Sequence, residues 1–194
     1  MGKTRLEAFS DGVIAILITI MVLELRVPEG ASLQALVPVL PVLGSYVLSF
    51  VYLGIYWANH HHLFHATHKV TGGILWANLH LLFWLSLVPF TTWWMGKNPL
   101  EPVPTALYGA SLLMPGVAWL VLQSAIVKSQ GPHSMLAQAI GKDLKGKGSG
   151  VLYAAAVPLA FVRPWLSDVI YVVVALVWLV PDRRIERLID VRNP

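Results

Sequence analysis

Arg5-Leu6-Glu7-Ala8-Phe9-Ser10-Asp11-Gly12 leads without a break into the apolar stretch Val13 to Leu23. A carboxylate at Asp11, where a helix enters hydrocarbon, is expensive unless it is paired, and it marks a functional site by default. Arg5, six residues upstream, is the basic residue placed to answer it. The plainer reading is a cap, in which Ser10 or Asp11 satisfies the free N–H groups that open a helix. Both readings send a first helix from this junction into a membrane.

Working outward, apolar residues make up 56% of the chain and charged residues 12%, about half the charged share of a soluble domain. Charge-free runs extend from Gly30 to His68, from Val70 to Gly96 and from Pro102 to Val127. Each exceeds the roughly 20 residues that carry a helix across a bilayer. Nothing outside them is long enough for a second domain, so residues 1–194 read as a single all-α, multi-pass membrane domain. There are no cysteines, which excludes disulfides, thiolate metal sites and cysteine nucleophiles. Lys3 and Arg5 before an apolar stretch resemble a signal peptide, but Glu7 and Asp11 interrupt it and no small-x-small cleavage site follows Leu23; a retained first helix is expected.

The pattern predicts six spans: about 6–25, 36–61, 73–95, 105–127, 151–162 and 165–180. Arg26-Val27-Pro28-Glu29-Gly30 stops the first. Pro38 and Pro41 lie in the opening turns of the second, where proline is tolerated. Trp93 and Trp94 mark an aromatic belt near the end of the third, and Pro89 a kink within it. The segment 128–150 is polar, glycine-rich and expected to be mobile, and 181–194 reads as a short solvated tail helix. With both termini cytoplasmic, eleven of the 14 Lys and Arg fall on the inner side, leaving Arg26, Lys97 and Arg163 outside. That asymmetry obeys the positive-inside rule, and it explains a pI near 9.5 without nucleic acid.

Within the first span, Gly12, Ile16, Thr19 and Leu23 follow helical spacings and share one side, with Ile20 flanking it. Such a stripe is commonly helix packing. If copies of the span surround an axis, it becomes a pore wall whose apolar rings gate by dewetting and whose threonine hydroxyls offer oxygen ligands. The pattern alone leaves both open. In Trp57-Ala58-Asn59-His60-His61-His62-Leu63-Phe64-His65, the i, i+4 spacing of His61 and His65 is that of helical metal ligands. No acidic residue lies in the cluster, so solvated interfacial histidines are expected rather than a metal site. His60 sits deepest and is placed to bond across helices, as is Asn78. A network of Arg5, Ser10, Asp11, His60, Asn78 and Trp76 would satisfy these groups.

Arg5, Phe9, Ser10 and Asp11 form an arginine-x-x-x-Phe-Ser-Asp signature. With Ile18-Thr19 through Leu25, the Trp57-x-Asn59-His60-His61 element, Asn78 and Pro89-Phe90-Thr91, the chain resembles the prokaryotic branch of the transmembrane protein 175 family of potassium channels. The likeness covers spans one to three well, and the remaining spans in number and placement. It implies a homotetramer in the cell membrane whose first helices line the pore. The narrow part would be made of side chains at Ile16, Thr19 and Leu23, with Ile20 sharing the middle layer. It implies potassium as the permeant ion, no cofactor, no enzymatic chemistry, and, as partners, the bilayer, potassium and further copies of the chain, with no nucleic acid. A Thr-Val-Gly-Tyr-Gly filter is absent from the sequence. The rivals are a cation- or proton-coupled carrier using Asp11, Glu24 and His60, and an intramembrane metalloprotein centred on the histidines. Inverted repeats with paired broken helices, which favour a carrier, are not evident.

Overall fold

The computed structural model describes residues 2–131, 137 and 144–180, and every regular element among them is helical. Helix α1 spans Lys3–Val22. A 3₁₀ segment, Leu33–Val39, runs into α2, Leu40–His65. Helices α3, Gly72–Ser86, and α4, Val88–Lys97, follow in close succession. The long α5, Pro102–Gln130, precedes α6, Leu144–Leu159, and α7, Pro164–Leu179. Prolines open α5 and α7, where the missing N–H leaves no bond unmade. Thr71 opens α3, its side chain accepting the Ile74 N–H.

The stretches Leu33–His65, Gly72–Lys97 and Pro102–Gln130 are each long and apolar enough to cross a membrane. Helix α7 is equally apolar and shorter. Helix α1 is different. It carries Lys3, Arg5, Glu7 and Asp11 in its first half, and its charge-free part runs only from Gly12 to Leu23.

Two cores hold the bundle together. In one, Ile14 and Leu17 of α1 meet Leu53 and Leu63 of α2, Leu81 and Leu85 of α3 and Leu122 of α5. In the other, Tyr52, Met95, Tyr108, Tyr153 and Tyr171 bring together α2, α4, α5, α6 and α7. Helix α5 packs against α3, α4, α6 and α7, whereas the main neighbours of α1 are α2, α3 and α4.

Three boundaries differ from the sequence reading. The third span is two helices separated at Leu87. Pro89 has no N–H to give Leu85, so the ladder fails there; Leu87 bonds instead to Trp84 by a tighter turn, and Thr91 restarts the pattern on the Leu87 carbonyl. The segment read as polar and mobile from 128 to 150 is helical at both ends, because α5 continues to Gln130 and α6 begins at Leu144. Tertiary contacts override the glycines there: the Trp178 indole donates to the Ser149 hydroxyl at 2.8 Å and Lys145 Nζ donates to the Val180 carbonyl at 2.8 Å. The second helix extends to His65 rather than stopping at residue 61. The tail at 181–194 lies outside the described residues.

Candidate pore face and the polar joint beneath it

Helix α1 divides cleanly into two faces. Leu6, Ser10, Ile14, Leu17 and Met21 are buried against the subunit's own core. Phe9, Gly12, Ile16, Thr19, Ile20 and Leu23 are exposed, with Ile16 at 62% and Leu23 at 78%. At about 100° of turn per residue, Arg5, Phe9, Gly12, Ile16 and Leu23 lie within roughly 40° of the centre of that face. Thr19 and Ile20 fall on its two edges. The Thr19 hydroxyl is 3.0 Å from both the Ala15 and the Ile16 carbonyls and donates back to its own helix. Its one proton is thereby engaged and its lone pairs remain available, so this side chain faces outward as an oxygen acceptor.

On the buried side, three helices meet through three polar side chains. Asn78 Nδ2 of α3 donates to Ser10 Oγ of α1 at 2.9 Å. Asn78 Oδ1 and His60 Nε2 of α2 are 2.8 Å apart. The Ser10 hydroxyl passes its proton to the Leu6 carbonyl at 3.0 Å. With the amide in this orientation, Asn78 Oδ1 can only accept, so the His60 proton sits on Nε2. His60 also stacks on Phe64 at 4.5 Å between ring centres. All three polar residues are almost completely buried. Nearby, the C-terminal end of α2 is closed by a cation, with Lys3 Nζ donating to the His65 carbonyl at 3.1 Å, as the helix dipole favours.

The other members of the expected network stand apart from this joint. Arg5 is exposed, Asp11 is half-buried, and no ion pair joins them among the described residues. Six residues along a helix is about 120° of turn, so the two side chains leave α1 in different directions. Phe9 is exposed, and Trp76 is 75% exposed although it neighbours Ala77 and Asn78 in the core. His61 and His65 are exposed, with ring centres 6.3 Å apart. No three metal-ligating side chains converge among the described residues.

A second polar joint, not singled out in the sequence, ties the other half of the bundle. Ser49 Oγ lies 2.7 Å from Thr92 Oγ1 and 2.9 Å from the Tyr108 hydroxyl. Thr91 Oγ1 and Ser111 Oγ are 2.8 Å apart. The Tyr171 hydroxyl donates to the Thr105 carbonyl at 3.1 Å, and Tyr52 donates to the Tyr171 carbonyl. The available signal was the spacing of Ser45, Ser49 and Tyr52, which places polar groups on one side of α2.

Long apolar helices, joined where they are buried by hydroxyl, amide and imidazole groups rather than by ion pairs, define a helical membrane protein. Residues 5–89 match the family described as endosomal/lysosomal potassium channel TMEM175. A potassium channel of Chryseobacterium sp. (strain P1-3) is 51% identical over 187 residues, covering 96% of this chain and 97% of that protein. A crystal structure of a lysosomal potassium-selective channel TMEM175 homolog from Chamaesiphon minutus superposes with a TM-score of 0.75 at 29% identity, covering 91% of this chain and 96% of that one. The endosomal/lysosomal proton channel TMEM175 of Gallus gallus is 39% identical over 83 residues, covering 37% of this chain and 17% of that protein. The chain belongs to the TMEM175 family, whose members are ion channels rather than enzymes.

Proposed function

We propose that the protein is a potassium-selective channel of the cell membrane, conducting passively through a homotetrameric pore lined by α1. In this reading the subunit is one channel domain of six transmembrane helices, with α3 and α4 together forming the third and both termini cytoplasmic. The observation that carries it is the uncovered face of α1. Its charge-free part, Gly12 to Leu23, is about 18 Å long at ~1.5 Å per residue, against the ~30 Å of a hydrocarbon core. A helix so short in apolar length and so charged at one end is poorly suited to lipid. It is well suited to a place surrounded by protein with an aqueous path along one side.

Around a fourfold axis, Ile16, Thr19 and Leu23 would form successive layers, with Ile20 sharing the middle one. Apolar rings at Ile16 and Leu23 resist ions because water must be shed without replacement ligands. The Thr19 oxygen, its proton already given to the backbone, supplies such ligands to a partly dehydrated cation. No cofactor enters this scheme, potassium being only the permeant ion. His60 suits the channel better than a carrier, because its Nε2 is held by Asn78 and its ring by Phe64. A fixed imidazole joins helices and is poorly placed to ferry protons.

The test is current recorded from purified protein in a planar bilayer under a potassium gradient with sodium opposite. A reversal potential near the potassium Nernst value is expected. Ile16→Asn should raise conductance and erode discrimination against sodium, and Thr19→Val should lower potassium preference with assembly intact. Stoichiometric proton movement coupled to the cation would overturn the channel reading in favour of a carrier.

A further inference from the structure

Helices α2, α5 and α6 leave a slot of about 430 Å³ between them, with Trp178 of α7 flanking one end. Its lining runs along three helices: Tyr52 to Asn59, Leu113 to Leu120, and Gly146 to Ala154. Seven or eight residue steps at ~1.5 Å each make the walls about 10–12 Å long, so the slot runs along the bundle axis and not across it. The lining is almost wholly apolar through its length, with Ile55, Leu113, Val117 and Val151 among its walls. On α6 the residue at 150 is glycine, and a Cβ built there would meet nothing within 4 Å.

One end is basic. Lys147 lines the slot where α6 begins, beside Ser149 and Trp178. Lys145 lies over the Trp178 ring at 4.6 Å from its centre, in the same corner. A basic corner with an indole at a helix end is the chemistry of a membrane interface facing anionic headgroups. The slot also lies away from α1, whose main neighbours are α2, α3 and α4, so it does not belong to the candidate pore face.

We propose that this slot holds one acyl chain of an anionic glycerophospholipid, with the headgroup at Lys147 and the chain running between α2, α5 and α6. The occupant follows from the apolar lining and the basic end. A narrow apolar channel parallel to the helices takes a hydrocarbon chain, and the cation at its mouth selects a phosphate carrying net negative charge. In the proposed topology, with both termini cytoplasmic, Lys147 and the headgroup lie in the inner leaflet, and only that placement rests on the topology. Binding itself does not depend on conduction, so the two readings fail separately.

Native mass spectrometry of the intact protein in mild detergent, titrated with phosphatidylglycerol or phosphatidylcholine of the same acyl chains, tests this. Retention of the glycerol lipid in preference to the choline lipid is expected. Lys147→Ala should weaken phosphatidylglycerol binding by about fivefold, the usual effect of one basic residue near an anionic surface. Gly150→Leu should abolish retention by filling the slot, whereas Gly148→Leu, on the same helix outside the lining, should leave it unchanged. The paired leucines separate occlusion from any effect on helix stability. Equal binding of both lipids, or Gly150→Leu and Gly148→Leu behaving alike, would overturn the proposal. So would disulfide dimers formed through Val151→Cys, a single thiol in a cysteine-free chain, because a second copy would then cover the slot.

Discussion

Asn78 holds two partners with one amide, and that makes it the residue whose loss reaches furthest. Asn78→Ala would leave a His60 N–H and a Ser10 oxygen buried without partners. An orphaned buried group costs about 1–3 kcal/mol, so a clear drop in thermal unfolding temperature in detergent is expected. His61→Ala, at an exposed position, should stay within about 0.5 kcal/mol of wild type. Equal losses from the two would show that the Ser10–Asn78–His60 joint contributes nothing special. His60 and Asn78 stand out in the sequence because amides and imidazoles inside apolar runs must find partners elsewhere, and Ser10 stands out only through Asp11 beside it at the membrane junction. The hydroxyls of Ser49, Thr91, Thr92 and Ser111 do not stand out, since Ser and Thr can always satisfy themselves on a carbonyl one turn back. Thr92 does this on Val88 at 2.6 Å while also meeting Ser49. Arg5 and Asp11 were drawn together by opposite charge in a linear reading, and the helical turn between them sends them apart.

Between elements, the bundle depends on two places where backbones come close. A Cβ at Gly96 of α4 would run into the Ser45 hydroxyl and lie 2.8 Å from the Val42 Cα of α2. A Cβ at Gly109 of α5 would collide with the Tyr171 hydroxyl and lie 2.8 Å from its Cζ. Gly96→Ala must move a neighbouring backbone, and Gly109→Ala must displace a ring whose hydroxyl is already committed to Thr105. Each should cost about 1–3 kcal/mol. Gly44→Ala in α2 meets nothing within 4 Å and should be neutral or stabilising by up to ~1 kcal/mol through helix propensity. Unfolding in a denaturant series of the three variants checks the order, which is contradicted if Gly44→Ala is the worst. The long helices were legible because bilayer thickness fixes a minimum charge-free length, and the Leu87 break was legible as Pro89. The helical start at Leu144 was not. Its lysines and glycines carry no helical signal, and the turn is fixed by Trp178 and Val180, far away in sequence.

At the scale of the whole molecule, the subunit leaves α1 half-dressed. One face is buried by α2 and α3, and the other, from Arg5 through Phe9 and Ile16 to Leu23, is left exposed by the described residues. A symmetric ring is the closed solution for such a face, and a homotetramer is expected from chemical cross-linking or mass measurement in mild detergent. Because Arg5 has no acidic partner among the described residues, Arg5→Ala should reduce tetramer yield while leaving the subunit's own unfolding temperature unchanged. A species that stops at dimers would contradict the ring. Family membership was legible in the first 90 residues or so, where the Arg5-to-Asp11 signature and the matched region 5–89 coincide. Assembly was not legible from composition or periodicity, since an exposed apolar stripe reads alike whether lipid, another subunit or a pore lies opposite.

The most direct test of the pore asks which residues of α1 can be reached by an ion-sized reagent during conduction. The chain has no cysteine, so wild-type currents should ignore a charged thiol-reactive cation. Single cysteines at Ile16, Thr19 and Leu23 should each bring rapid, lasting block under the same conditions. A cysteine at Val172, exposed on α7, should leave the current unchanged. Insensitivity at all three α1 positions, together with block at Val172, would contradict a pore lined by α1.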